Sequence, residues 1–299
     1  MKILIIGSKG FIGQYCYHYF AKNLAHEVYG ADVAVDYVQQ NYFQIDPTNA
    51  NFKDLFIHQK FDVCINCSGA ASVPDSFVHP LRDYELNVHN VVLLLNAIKD
   101  HDPTCKFIQL SSAAVYGNPA TLPIKEDQAL NPLSPYGFHK LQAEESCAQY
   151  YAFYGIRSVI VRLFSAYGNG LFKQLFWDLH QKVKTNDQVR LWGTGKESRD
   201  FIHVADIVLA LEKIIENAAF TAERINIANG EEIYIQDAVA NFYAAFKPGT
   251  MVEFGGETRT GDPVNWKADI RKLQALGYQQ QINFETGIHQ YAQWLKELK

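Results

Sequence analysis

Apolar positions along the chain alternate between two textures. Short, nearly unbroken runs at Ile3 to Ile6, Val63 to Asn66 and Lys106 to Leu110 read as strands buried on both faces. Between them, apolar residues return every three or four positions, as amphipathic helices require, from the end of a glycine-rich turn to about Ala25, over Leu81 to Lys99, and from Pro135 to near Gly155. Further strands are expected at Glu27 to Asp32, Tyr42 to Ile45 and Ile156 to Leu163. Strand and helix in strict alternation predict an α/β fold, a doubly wound parallel sheet.

Beyond Phe164 the regularity breaks. A helix over Leu171 to Val183, a short strand over Val189 to Trp192, a helix from about Asp206 to Asn217 and a strand over Arg224 to Ala228 that rejoins the sheet are expected there. This divides the chain into residues 1–164 with about 204–228, carrying the sheet, and a smaller mixed α/β lobe from about 165–203 and 229–299. In Leu81 to Lys99 the apolar residues Val91 to Leu95 and Ile98 spread too widely for one helix face, which points to a second subunit, as a homodimer through residues 81–99 and 135–154.

With 48% hydrophobic and 20% charged residues in 299, the chain can bury a large core. Its net charge of −5 and dispersed lysines and arginines give no basic face for nucleic acid or an acidic membrane. No run is long enough to span a bilayer, so a cytoplasmic protein is expected. Five scattered cysteines suit reduced thiols. Cys64 and Cys67 are spaced C-x-x-C, but within a strand they point to opposite faces, and no metal site is expected.

Three stretches carry candidate chemistry. Gly7-Ser8-Lys9-Gly10-Phe11-Ile12-Gly13 follows the first strand and opens a helix, where backbone amides hold a dinucleotide pyrophosphate. Asp32 ends the second strand at the place that grips an adenosine ribose, and its charge favours NAD; Lys9 weakens that preference and leaves NADP open. Small residues after the fourth strand, Ser68 to Ala71, permit close approach of a cofactor. Lastly, Ser134 and Pro135 start a helix on which Tyr136 and Lys140 stand at i and i+4, so an ammonium lies beside a phenol and is expected to lower its pKa. Ser111 and Ser112 end the fifth strand, facing the cleft.

These residues, with Arg199-Asp200-Phe201-Ile202-His203-Val204 and Arg259-Thr260-Gly261-Asp262-Pro263, resemble the extended short-chain dehydrogenases/reductases of the NAD-dependent epimerase/dehydratase group, over essentially the whole chain. The resemblance implies a Rossmann-type fold and oxidoreductase chemistry on a nucleotide-diphosphate sugar. Tyr136 would exchange a proton with a sugar hydroxyl, Lys140 would hold the nicotinamide ribose, and Ser112 would orient the reacting oxygen. Gly7, Lys9, Gly10, Phe11, Ile12, Gly13, Asp32, Asp46, Gly69, Ala70, Asn87 and Phe164 match cofactor-lining positions; Ser165, Arg199 and Arg259 match substrate-contacting ones, the two arginines embracing the diphosphate. His203 is expected to be a packed structural histidine, His139 to face away from Tyr136, and Trp192 to join the core, with flanking of the nucleotide base as the alternative.

Departures from the family pattern bear on the reaction. Ala113 and Ala114 stand where sugar dehydratases carry an acid pair, which disfavours dehydration. Ser165 replaces an asparagine usual in epimerases, and the chain is shorter than typical 4-epimerases; both lean toward a reductase of an NDP-4-keto-6-deoxysugar, whereas Asp32 leans toward a 4-epimerase, the favoured reading. A non-catalytic NAD(P)-binding sensor or scaffold is the remaining alternative.

Overall fold

The buried runs line up side by side. In a computed structural model, which describes residues 1–185, 188–257 and 260–298, β1 (Lys2–Ile6), β2 (Glu27–Asp32), β3 (Tyr42–Gln44), β4 (Val63–Asn66), β5 (Lys106–Ser112) and β6 (Ser158–Leu163) form a parallel sheet. Four short strands follow, β7 (Ser165–Tyr167), β8 (Gln188–Leu191), β9 (Ser198–Arg199) and β10 (Phe201–His203), before β11 (Thr221–Ile227) returns to pair with β6. The sheet order is β11-β6-β5-β4-β1-β2-β3. Because β1 bonds β2 on one side and β4 on the other, strand order reverses there, and a crevice opens over the carboxyl ends.

Two helical layers cover the sheet, and strand alternation assigns residues to each. Ile3 and Ile5 pack with Cys16 and Phe20 of α1 (Phe11–Ala21) and with Ile207 and Leu211 of a late helix. Leu4 and Ile6 face the other layer. That layer contains α2 (Lys53–Ile57), α5 (Asn90–His101) and α6 (Pro135–Tyr154); α3 (Val73–Val78) and α4 (Pro80–Tyr84) precede α5. Cys64 belongs to this second layer while Cys67 packs beside Cys16 in the first, so the C-x-x-C is divided between faces. All five cysteines are free thiols.

The smaller lobe has its own aromatic core. Tyr167, Phe176, Phe201, Phe242, Phe284 and Tyr291 converge from β7, β10, α7 (Gln174–Thr185) and two later helices. The late helix of the sheet layer is α8 (Val204–Asn217), and the tail adds α9 (Ile235–Phe246), α10 (Arg271–Ala275) and α11 (Phe284–Glu297). β12 (Ile233–Tyr234) pairs with β9 and β13 (Met251–Phe254) with β8. Among the described residues no helix is long and apolar enough to cross a membrane.

Three expectations change. α1 ends at Ala21, short of Ala25. The helix expected over Leu81 to Lys99 is α4, a π-helical turn over Glu85–His89, and α5. Within it, Val91, Leu94, Leu95 and Ile98 are buried by the sheet, α2 and α6 of the same chain, while Val92 and Leu93 stay partly exposed. Those left exposed nearby are Leu81 and Tyr84, with Phe138, Phe153 and Tyr154 of α6. Trp192 lies outside β8 and is 59% exposed, so it is no core residue.

Candidate active site

α6 starts as its sequence directs. Ser134 Oγ accepts a hydrogen bond from Gly137 N at 3.1 Å, Pro135 occupies the first turn, and Gly155 closes the helix in a left-handed conformation at φ 70°. A Cβ on Gly137 would lie 2.7 Å from the Ala114 carbonyl oxygen, so glycine lets the helix start press against the end of β5. That contact brings Tyr136 to Ser112. The Ser112 hydroxyl accepts from Ala114 N at 3.2 Å and lies near enough to the Tyr136 phenol to affect its titration.

Lys140, one turn on, is buried and donates from Nζ to the Leu110 carbonyl at 3.1 Å; its ammonium lies 5.8 Å from the centroid of the Tyr136 ring. The expected lowering of the tyrosine pKa is not found. Burial pushes the phenol up to about 12, with the Ser112 hydroxyl working against the shift and the charge of Asp83 adding to it. Lys140 is itself pulled down to about 8 by burial, with Asp83 and Glu144 opposing the fall. The fold alone therefore presents a protonated phenol beside an ammonium close to its titration point.

Two carboxylates behind the pair were not singled out in the sequence. Asp83 on α4 is buried, its Oδ1 2.6 Å from His139 Nδ1, and its Oδ2 has no partner within the protein. His139 indeed faces away from Tyr136, toward α4. Glu144, one turn beyond Lys140, is fully buried and accepts from Ser111 Oγ at 2.6 Å and from Arg162 Nη2 at 2.7 Å. Arg162 Nη1 donates in turn to the Tyr116 hydroxyl at 2.9 Å, and Tyr116 donates to Asn226 at 2.7 Å, tying α6, β5, β6 and β11 together under the site. The i+4 spacing from Lys140 was the available signal for Glu144; Asp83 had none.

The glycine turn lies across the crevice at β1. Gly7 has φ 77°, and a Cβ on Gly13 would fall 2.0 Å from the Gly7 carbonyl oxygen, so both must be glycine for the turn to close. Gly10 caps α1 without a side-chain hydrogen bond, leaving the helix N-terminus to a ligand. Phe11 and Ile12 begin α1, and Lys9, Phe11, Tyr15, Asn169 and Phe172 line a cleft beside the turn. Asp32 accepts from Lys9 N at 2.8 Å and Ala34 N at 3.2 Å.

On the other side of β1, a Cβ on Gly69 (φ 118°) would lie 2.5 Å from Asn87 Oδ1 and 3.5 Å from Lys140 Nζ, with Ala70 next on the same shelf. Asn87 is 1% exposed, sits in the π-helical turn, and neither its Oδ1 nor its Nδ2 has a partner among the described residues. A buried amide left unpaired beside a bare glycine shelf and an ammonium is built to bond something outside the chain. These features suit an extended dinucleotide: the α1 N-terminus would take its pyrophosphate, Asp32 a ribose, and Gly69, Asn87 and Lys140 its far end.

Other expected positions are less engaged. Asp46 is exposed beyond β3, its Oδ1 accepting from Thr48 N at 2.8 Å. Phe164 turns its ring into a cluster with Tyr116 and Trp266, so only its main chain is free to line the cleft. Ser165 opens β7 and donates its backbone N–H to the Asp200 carbonyl at 3.0 Å. Arg199 stacks 5.6 Å over Trp266 and donates from Nη1 to the carbonyls of Ser198 and Val264 at 2.7 and 3.2 Å. Arg259 lies outside the described residues. His203 is packed as expected: it accepts at Nδ1 from Ala205 N, capping α8, and burial pulls it down to about 4.

The sequence model described as the NAD dependent epimerase/dehydratase family matches residues 3–228. A protein of Methanocaldococcus jannaschii named as a putative UDP-glucose 4-epimerase is 27% identical, over 98% of each chain. A GDP-6-deoxy-D-mannose reductase of Pseudomonas aeruginosa is also 27% identical, over 92% of this chain and 94% of its own. Among solved structures, UDP-glucuronic acid 4-epimerase of Bacillus cereus, in complex with UDP-glucuronic acid and NAD, superposes with a TM-score of 0.90 at 26% identity, over 100% of both chains. Proteins named as epimerases and as a reductase are thus matched nearly end to end, and chain length, expected to favour the reductase, does not separate them.

Proposed function

Because the chain belongs to the NAD dependent epimerase/dehydratase family, we propose that it is a nucleotide-diphosphate-sugar 4-epimerase that retains NAD. The convergence of Ser112, Tyr136 and Lys140 beside the unpaired Asn87 amide supports this most directly. When bound, the oxidised dinucleotide supplies a hydride acceptor and a positive ring charge that favours the phenolate. Tyr136 takes the proton of the sugar C4 hydroxyl, while Ser112 holds that oxygen in place. Lys140 and Asn87 fix the ribose end of the cofactor. After the 4-keto sugar turns over, Tyr136 would return the proton to the C4 oxygen while the hydride came back to the opposite face of C4, so that no net redox change results.

The lobe of about 165–203 and 229–299 holds the nucleotide diphosphate, with Arg199 and Arg259 as the guanidinium pair. Ala113 is fully buried and Ala114 carries no acid, so elimination of water lacks its proton donor. A homodimer forms through α4 and α6, which leave Leu81, Tyr84, Phe138, Phe153 and Tyr154 exposed. Five free thiols suit the reducing cytoplasm. A sensor or scaffold has no need of the assembled serine, tyrosine and lysine.

Ser165 is the one observation favouring the second reading, an NAD(P)H-dependent reductase of an NDP-4-keto-6-deoxysugar, since its hydroxyl reaches less far than an amide. Incubating the purified protein with a panel of NDP-sugars and NDP-4-keto-sugars, with and without added NAD(P)H, and reading products by NMR tests both. The epimerase reading requires C4 inversion without added reductant; product formed only with stoichiometric NAD(P)H would replace it with the reductase.

A further inference from the structure

The ammonium of Lys9, in the glycine turn, is already paired within the chain. Its Nζ forms an ion pair with Asp36, donates to Gln39 Oε1 at 2.8 Å and lies 4.9 Å over the ring of Tyr42, while its own backbone N–H donates to Asp32 Oδ2 at 2.8 Å. Asp36 is in turn fixed from its other oxygen, Oδ1 accepting from Val38 N at 2.8 Å and Gln39 N at 3.0 Å. No lysine or arginine occurs between Lys22 and Lys53. Among the described residues, Lys9 is the cation that pairs with this stretch of chain at Asp36.

We infer that Asp36, acting through Lys9, is a specificity-determining residue that makes the site reject a 2′-phosphate on the adenosine ribose and take NAD. The inference rests on the dinucleotide reading above. Beside the ribose stand two carboxylates, Asp32 and Asp36, and one ammonium, so the local formal charge is negative. A 2′-phosphate would meet that negative field and would also have to break the Lys9–Asp36 pair to gain a cation. With Asp36 neutral, Lys9 is released within reach of the ribose and the balance between Asp32 and Lys9 becomes zero. The clamp answers the question that Lys9 raised in the sequence: a lysine in the turn, read alone, argues for NADP, but one already neutralised does not.

Asp36→Asn retains the acceptor for Val38 N and Gln39 N and removes only the charge. Dissociation constants for NAD+ and NADP+ are measured by calorimetry or by thermal-shift titration on the wild type, Asp36→Asn, and Asp36→Asn combined with Lys9→Met, and the dinucleotide that co-purifies with each is identified by mass spectrometry. The expected result is that the NADP+/NAD+ ratio of dissociation constants falls about tenfold in Asp36→Asn and returns toward the wild-type ratio when Lys9 is also removed. Gln39→Arg, which adds a cation beside the same clamp, moves the ratio the same way and serves if Asp36→Asn does not fold. NAD+ binding with an unchanged ratio in the folded variants, or a gain that persists without Lys9, overturns the inference while leaving the function intact. A wild type that binds neither dinucleotide overturns both.

Discussion

His139 Nδ1 lies 2.6 Å from Asp83 Oδ1, and this contact seats a buried carboxylate whose charge raises the pKa of both Tyr136 and Lys140. In the proposed mechanism Lys140 acts as an ammonium, so activity should fall as pH rises through its pKa, about 8. Asp83→Asn removes the negative charge and should move the alkaline limb of kcat/KM to lower pH by up to about one unit. A pH profile superimposable on the wild type, from a folded variant, would show that Asp83 does not tune the site.

Tyr136→Phe removes the proton carrier but leaves the ring and the cofactor shelf. Turnover should fall by about 10²- to 10⁴-fold, with NAD still bound at wild-type stoichiometry. Steady-state rates on the substrate identified by NMR, together with the absorbance of bound dinucleotide, check this; turnover within a few-fold of wild type would remove Tyr136 from the chemistry.

Glu144→Ala strands the Arg162 guanidinium, which is 2% exposed and donates to Glu144 from Nε at 3.0 Å and Nη2 at 2.7 Å. An uncompensated buried charge costs about 3–5 kcal/mol, so the urea midpoint should drop sharply. Glu144→Gln, which keeps an acceptor for Ser111, should lose less. Equal midpoints for wild type and Glu144→Ala would contradict the assignment of this pair to the support of α6.

His203 is neutral in the fold, its pKa drawn from 6.5 down to about 4 by burial. Between those values the unfolded chain binds a proton that the folded chain does not, so stability falls as pH falls through that window, at up to about 1.4 kcal/mol per pH unit, and no further below it. Protonation would also remove the acceptor that caps α8 at Ala205 N. Unfolding free energies measured from pH 7 to 4 should show a shallower decline for His203→Gln than for the wild type; parallel curves would rule this out.

Much of the sheet was legible because strands buried on both faces have to be uniformly apolar. Val63 to Asn66 matches its observed bounds, as does the start of α6, where Ser134 and Pro135 each have a local reason to be there. Leu81 to Lys99 was harder. Periodicity registers apolar residues but cannot count how many neighbours a helix has, and the sheet, α2 and α6 bury Val91, Leu94, Leu95 and Ile98 of α5 while leaving Val92 and Leu93 partly exposed. Trp192 was misjudged for the same reason: composition says what a residue prefers, while exposure depends on where the chain happens to end its strand.

By itself, the sequence determined the parallel α/β sheet, the glycine turn, and the placing of Tyr136 and Lys140 on one helical face, since each follows from local spacing and backbone chemistry. Tertiary structure alone decided the electrostatics. Burial, which depends on packing between distant segments, holds Tyr136 up near 12 and Lys140 down near 8, where spacing had implied a lowered tyrosine. Asp83 reaches the pair only because α4 packs on α6, and Lys9 is neutralised only because the segment after β2 folds back over the glycine turn. Spacing within a helix puts two groups on one face; their charge states depend on everything that the fold brings around them.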